Sequence, residues 1–393
     1  SIFHTGGKFN TDSSQIANST NAEQSDSNFV KAISQDSTDD YITFSNFNDF
    51  VNFDTLGPES LSPRYTGRRI NIAIIGLDSR IGTNSNHADA NHILSILVDS
   101  GKIEIISVPR DTPANAGFDD STGQNKLTVV RAALGRNAYL AELARIAQLD
   151  QIHYYIEVVF SQVIGFLEFL GYRDPKSTLQ VLRSRKGLGG DDYQRCYNQA
   201  QFIRQMILKN FNKINNGLFG DLLIRGGLSL VNTNLTYDVV DRIISKLNMF
   251  GFPRSQSDIY IKIRPPIQLK LKIYDFTDQQ MVDKLVKQIE DFNTKHNERD
   301  TNRVDVSALL DKTLNLAEAD TSKNPKRVIS RLSNFYNQRA WLQIDDNHER
   351  ESIRQRFENC LVSAYRKLNQ PANASKVQQE LRLEREFFNL KHK

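Results

Sequence analysis

The sequence predicts an α/β fold, an α/β/α sandwich around a central mixed sheet, followed by an all-α C-terminal extension. Two observations carry this. Between residues 69 and 266, short apolar runs closed by turn residues alternate with helix-periodic segments, and one pair of runs is linked closely enough for a hairpin. Beyond Pro266 the runs give way to long, charged, helix-periodic stretches.

Taken in order, Ile72-Ala73-Ile74-Ile75 ends at Gly76 and reads as a buried strand. Ile93–Val98 and Ile103–Val108 read as two strands joined by the turn Asp99-Ser100-Gly101-Lys102, hence the hairpin. Asn137–Ala147 is helical, with Leu140, Leu143, Ala144 and Ala147 on one side. Ile152–Val159 reads as a strand, Gln162–Leu170 as a helix, and Leu179–Leu182 as a short strand. A helix starts near Asp191 or Asp192; Tyr193, Cys196, Tyr197, Ala200, Ile203, Ile207 and Phe211 share its inner face. Asp238–Leu247 is a further helix and Ile259–Arg264 a last strand. Phe276–Phe292, Lys326–Leu342, Arg350–Leu368 and Ala374–Leu390 complete the chain as helices. Leu309, Leu310, Leu314 and Leu316 are expected to contribute to a small core there.

Three regions follow: a polar leader over 1–67, an α/β domain over 68–266, and a helical extension over 267–393. The leader is rich in Ser, Asn, Asp and Thr, with aromatic islands such as Tyr41-Ile42-Thr43-Phe44, and reads as a spacer. The chain begins with Ser1 rather than Met, as expected of a processed or truncated product. A length of 393 residues is enough for real hydrophobic cores, and a net charge of +4 is too small to argue for nucleic acid. No aromatic-interleaved basic strand or reader motif is present, so no nucleic-acid partner is expected. Cys196 and Cys360 lie far apart and give no metal or redox spacing.

Charged residues gather at the ends of the predicted strands. Asp78 follows the first strand in Gly76-Leu77-Asp78-Ser79-Arg80, and Asp89 precedes the second; neighbouring strands would bring both carboxylates to one site. Two carboxylates with phosphate oxygens are a usual Mg²⁺ environment, and a turn cap is the plainer reading of Asp78. His87 and His92 raise a transition-metal alternative, without a third histidine nearby. Arg110 and Asp111 follow Pro109, where an arginine suits a bidentate phosphate contact or a salt bridge between loops. Arg183 and Arg185 precede the glycine turn at 187–190. Asp192, Arg195 and Gln199 then form a polar line along the first turns of the helix. Three arginines beside a helix start point to an anion held between them; a solvated basic patch balanced by Asp191 and Asp192 is the plainer reading.

In order, the segments INIAIIGLDSR, ADANHILSILVDSGKIEIISVPRDT, NKLTVVRAALG, IHYYIEVVFSQVIGFLEFLG, LRSRK, DDYQRCYNQAQFIRQMI and LVNTNLTYDVVDRIISKL resemble the LytR-CpsA-Psr (LCP) family of bacterial cell-envelope glycopolymer transferases. The resemblance runs from Arg69 to Pro266, about half the chain. It implies Mg²⁺-assisted (or Mn²⁺-assisted) transfer of a glycopolymer phosphate from a polyprenyl-pyrophosphate carrier to peptidoglycan or another wall acceptor. A catalytically weakened relative that binds an envelope lipid, glycan or protein is the alternative. It also implies the extracytoplasmic face of the cell envelope and an N-terminal anchor outside this chain. By motif, Asp78 and Asp89 take the metal positions. Arg110, Lys126, Arg183, Arg185, Arg195 and Gln199 take the pyrophosphate positions, with Asp89, Arg110, Arg183 and Arg185 at the chemistry. His87 stands where the family has arginine, Asn198 replaces a helix arginine, and Thr128 replaces an asparagine. The segment Tyr172–Gln180 is shorter than usual, which would open the lipid pocket. Phe166 and Phe169 are candidates for lining it, with core packing as the alternative. The C-terminal helices, outside the common domain, are a candidate module for a protein partner.

Overall fold

A computed structural model describes residues 52–55, 67–267, 270–296 and 304–392 of the chain. The leader, apart from 52–55, lies outside the described residues, so its expected role as a spacer is not addressed. The main sheet has six strands: β2 (Arg69–Asp78), β3 (His87–Leu97), β4 (Lys102–Ser107), β5 (Tyr154–Val158), β6 (Asn232–Thr233) and β7 (Ile259–Ile263). Their spatial order is β6-β5-β2-β3-β4-β7. β2, β3 and β4 form an antiparallel meander; β5 lies parallel to β2, and β7 parallel to β4. The sheet is mixed, as the sequence predicts, and the hairpin turns at 99–102 with Gly101 at φ +65.

One face of the sheet is covered by α1 (Leu127–Ile146), which buries Leu127, Val130, Tyr139 and Leu143 against Ala73, Ile75, Ile93 and Ile106. On the other face α4 (Asp192–Ile214), α5 (Gly217–Leu230) and α6 (Tyr237–Met249) pack Ala200, Phe211, Ile224, Ile243 and Ile244 against Ile72, Ile96 and Ile105. Alternation along β2 sorts Ile72 to one layer and Ala73 to the other. The inner face predicted for α4 is buried at Tyr193, Cys196, Tyr197, Ala200 and Phe211. α5 was not foreseen in the sequence.

The predicted strand at Leu179–Leu182 is instead part of a helix, α3 (Pro175–Arg183), which follows α2 (Phe160–Phe169). The reason is local. Asp174 caps the helix by accepting from the Ser177 N–H, and Pro175 sits at its first position, where no amide is needed. Thr178, Leu179, Val181 and Leu182 then bury one helical face against α7 (Gln279–Lys295), through Val282, Leu285 and Ile289.

The stretch after Pro266 opens with a strand before it becomes helical. β8 (Lys270–Ile273) pairs antiparallel with β1 (Asn52–Thr55). The Gln194 side chain binds β8 as a further strand would, accepting from the Lys272 N–H at 2.9 Å and donating to its carbonyl at 2.9 Å. After α7 come α8 (Val306–Asp320), α9 (Pro325–Asn337), a 3₁₀ turn (Ala340–Gln343), α10 (Asn347–Lys367) and α11 (Pro371–Asn389). Leu310, Leu314, Leu332, Trp341, Phe357 and Leu381 form their core. Leu316 does not join it and is half exposed. Both cysteines are free and buried. Among the described residues, no helix is long and apolar enough to cross a membrane.

Candidate anion-binding site

Strand direction brings the charged residues together. The carboxyl ends of β2 and β4, the start of β3, the last turn of α3 and the first turn of α4 all meet at one end of the sheet. β3 starts at His87, so Asp89 lies within the strand rather than before it. The β2–β3 register runs Asp78↔His87 and Leu77↔Ala88, then Gly76↔Ala90, which leaves Asp89 as the extra residue of a bulge. A bulge re-aims a side chain where ordinary alternation would bury or expose it.

Asp89 meets Arg110, whose Nη1 donates to its Oδ1 at 2.5 Å, and the Thr128 hydroxyl donates to the same oxygen at 3.4 Å. Arg110 is fixed through its backbone as well. Its N–H donates to Asp192 Oδ2 at 2.9 Å, and its carbonyl accepts from the Thr128 N–H at the start of α1. Asp192 forms an ion pair with Arg195 one turn along α4, and Arg185 Nε lies 3.6 Å away. Arg195 is buried, and its Nη2 donates to the Asp89 carbonyl at 3.3 Å. Asp111 carries the network outward. Arg185 Nη1 is 3.6 Å, Lys126 Nζ 3.7 Å and Arg110 Nε 3.7 Å from its carboxylate. Arg183, the last residue of α3, lies over the Phe160 ring at 3.8 Å, with Nη2 3.9 Å from Asp78 Oδ1. Five cations thus face four carboxylates: Arg110, Lys126, Arg183, Arg185 and Arg195 against Asp78, Asp89, Asp111 and Asp192.

The electrostatics reflect this crowding. Burial raises the pKa of Asp89; Arg110 opposes that rise, and the negative charge of Asp78 adds to it. Burial lowers the pKa of Arg195, with Asp192 opposing. Asp191 caps α4 by accepting from the N–H groups of Tyr193 and Gln194, and burial raises its pKa.

Asp78 and Asp89 repel each other across the register, a donor set suited to a hard cation that takes one or two carboxylates and fills its shell with water and phosphate oxygens. Among the described residues, no group of three or more His, Cys, Asp or Glu is placed to hold a metal. The two histidines do not converge. His87 Nδ1 lies 3.3 Å from Ser85 Oγ. His92 is buried, with Nδ1 2.7 Å from Ser107 Oγ and Nε2 3.0 Å from Gln199 Oε1. A transition-metal site built on both is therefore not formed.

Gln199, read from sequence as part of the anion site, has other partners here, and so does Asn198, which stands where the family has an arginine. Gln199 binds His92, and its Nε2 donates to the Leu182 carbonyl at 2.9 Å, so it ties α4 to the end of α3 just before Arg183. Asn198 accepts from Gln194 at 2.8 Å and belongs to the β8 side of α4. Asp111 and Thr128 join the network although the sequence reading gave them no role; the Pro109-Arg110-Asp111 loop was the available signal. Phe166 and Phe169 face α11, with the Phe169 and Phe387 rings stacked at 4.1 Å. That is core packing.

The sequence model of the LytR_cpsA_psr family matches residues 16–168. This stretch holds Asp78, His87, Asp89, Arg110 and Lys126, and ends before Arg183. Among solved structures, the chain is similar to TagV of B. subtilis at 13% identity, covering 58% of this chain and 98% of that one, with a TM-score of 0.40. It is also similar to protein gbs0355 of Streptococcus agalactiae (14% identity, 57% and 88% covered, TM-score 0.40). For B. subtilis TagT the figures are 14% identity, 59% and 94% covered, and a TM-score of 0.37. No curated protein matches the chain.

Proposed function

We propose, from the match of residues 16–168 to the LytR_cpsA_psr family, that the chain transfers a glycopolymer phosphate from a polyprenyl-pyrophosphate carrier to a cell-wall acceptor such as peptidoglycan. The observation that carries this is the cation cluster at the end of the sheet, where Arg110, Lys126, Arg185 and Arg195 are held by carboxylates that a pyrophosphate can displace. In the reaction, an acceptor hydroxyl forms a new O–P bond as the phosphoanhydride bond breaks, and polyprenyl phosphate leaves. Arg110, Arg183 and Arg185 bind the oxygens on which charge builds. A carboxylate of the site takes the hydroxyl proton. Asp78 and Asp89 would hold Mg²⁺ or Mn²⁺, which supplies charge neutralisation at the phosphates. The reading puts the protein at the extracytoplasmic face of the cell envelope.

The test is release of polyprenyl phosphate from a lipid-linked glycopolymer by the purified protein. Arg183→Ala and Asp89→Ala should each lower the rate at least about a hundredfold. Full activity in both variants would remove these residues from the chemistry.

A second reading, an envelope protein that binds such a carrier without turnover, is favoured by His87, which bonds with Ser85 outside the arginine network. Turnover by the wild type excludes it. A large gain in rate in His87→Arg would mean that the natural histidine weakens the site.

A further inference from the structure

The loop from Ser79 to Asn86 joins the two strands that carry Asp78 and Asp89, and such loops ordinarily satisfy their polar groups with water. This one is gripped from the far end of the chain. Gln338, just after α9, commits its whole amide to it: Oε1 accepts from the Gly82 N–H at 2.8 Å, and Nε2 donates to the carbonyls of Arg80 at 3.1 Å and Thr83 at 2.9 Å. Asn334, one turn earlier, donates to the Gly82 carbonyl at 3.2 Å. Ile81 packs into the helical core beside Phe335. Gly82 has φ +76, and a Cβ there would stand 2.4 Å from the Phe335 ring. The grip is itself rigidly mounted. Gln338 is buried, and its neighbour Arg339 donates to the carbonyls of Tyr336 and Ser229 and to Glu380.

We infer that the C-terminal helices act as a clamp on the anion site, with Gln338 as the positioning residue that fixes the Asp78–Asp89 loop. Gln338 reaches none of the proposed reacting atoms. It acts through the loop backbone, which runs from the clamped Arg80 carbonyl through buried Ser79, whose hydroxyl donates to the Ser85 carbonyl, to Asp78 opposite Arg183. A supporting shell of this kind sets how closely charged groups converge on a ligand. The inference rests on the pyrophosphate reading of the site.

The experiment measures the Kd of inorganic pyrophosphate by calorimetry, and amide exchange at Gly82, in the full chain. Gln338→Met keeps the side-chain length and removes all three hydrogen bonds. It should weaken pyrophosphate by about tenfold and speed Gly82 exchange, with cooperative unfolding retained. Asn334→Ala removes only the donor to the Gly82 carbonyl, so it should weaken pyrophosphate by about threefold; it carries the test if the methionine variant does not fold. Arg356→Ala, which breaks ion pairs with Asp311 and Glu318 elsewhere in the extension, should leave Kd within about twofold of wild type, so that lost stability alone is not mistaken for lost positioning. Wild-type binding matched within twofold by a folded Gln338→Met or Asn334→Ala variant, whatever its Gly82 exchange, overturns the clamp alone. Failure of the wild type to bind pyrophosphate overturns the anion site, and the clamp with it.

Discussion

Asp192 holds Arg110 through its backbone N–H, Arg195 through an ion pair, and Arg185 at longer range, so its removal has a distinctive signature. Asp192→Ala leaves Arg195 buried without its partner, at a cost of about 3–5 kcal/mol in urea unfolding. Saturating pyrophosphate should recover more stability in the variant than in wild type, because the ligand takes over the lost charge. A loss that pyrophosphate leaves untouched would deny the displacement argument. His92 gives a pH prediction. Burial lowers its pKa to about 4, against 6.5 in an unfolded chain, so the unfolded state binds more protons between those values. Its contribution is whole above pH 6.5 and is lost as pH falls through 4, in total about 3 kcal/mol. His92→Gln should flatten stability against pH in that window; an unchanged slope would show that His92 titrates normally. Residue types at this site were legible because arginines and aspartates gathered at strand ends. The roles of Gln199 and Asn198 were not, because one helix turn decides which neighbour an amide meets.

Among the elements, α3 shows how residues can be brought together although their local geometry was misread. The apolar run Leu179–Leu182 suits a strand on composition, yet Asp174-Pro175 upstream is a helix-start signal, and the buried face of α3 needs α7, over a hundred residues later. Arg183 and Arg185 therefore reach the site from a helix end and the following loop, rather than from alternating positions on a strand. Asp174→Ala should cost about 1 kcal/mol through the lost cap at Ser177, seen as a lower unfolding midpoint. Because α3 presents Arg183, pyrophosphate should also bind more weakly in that variant. β8 and α5 were hidden for a related reason. β8 has only four residues and relies on β1 and Gln194 for partners, which local pattern does not reveal.

Across the molecule, the sandwich and the helical extension were both legible as changes in periodicity, but their contact was not. α11 packs on α5 and α2, and Arg350 reaches Glu168 on α2. A fully buried carboxylate, Glu384, locks the extension internally. Arg339 and Arg354 pair with it, and the Trp341 indole donates to it at 2.7 Å. Glu384→Ala takes one carboxylate from each of two buried guanidinium groups, which keep Glu380 and Glu351, and leaves the Trp341 N–H without its acceptor; it should cost about 3 kcal/mol, detectable as a lower unfolding midpoint. Through the Gln338 contacts, it should also loosen the loop beside Asp78. Unchanged Gly82 exchange in a folded Glu384→Ala chain would show that the two are mechanically separate.

The bulge at Asp89 has an arithmetic consequence for how this protein tolerates change. Downstream of it, even-numbered β3 residues such as Leu94 and Ile96 face α4 and α6; upstream, Ala88 lies on the opposite side with Leu77 and the α1 layer. The extra residue inverts parity. Deleting Asp89 would restore regular alternation with Ala88 still opposite Leu77, so the strand would keep its apolar layers and lose only the carboxylate that the bulge aims. A homologous chain one residue shorter here would therefore keep its core and align well by composition, yet have no acid to set beside Arg110.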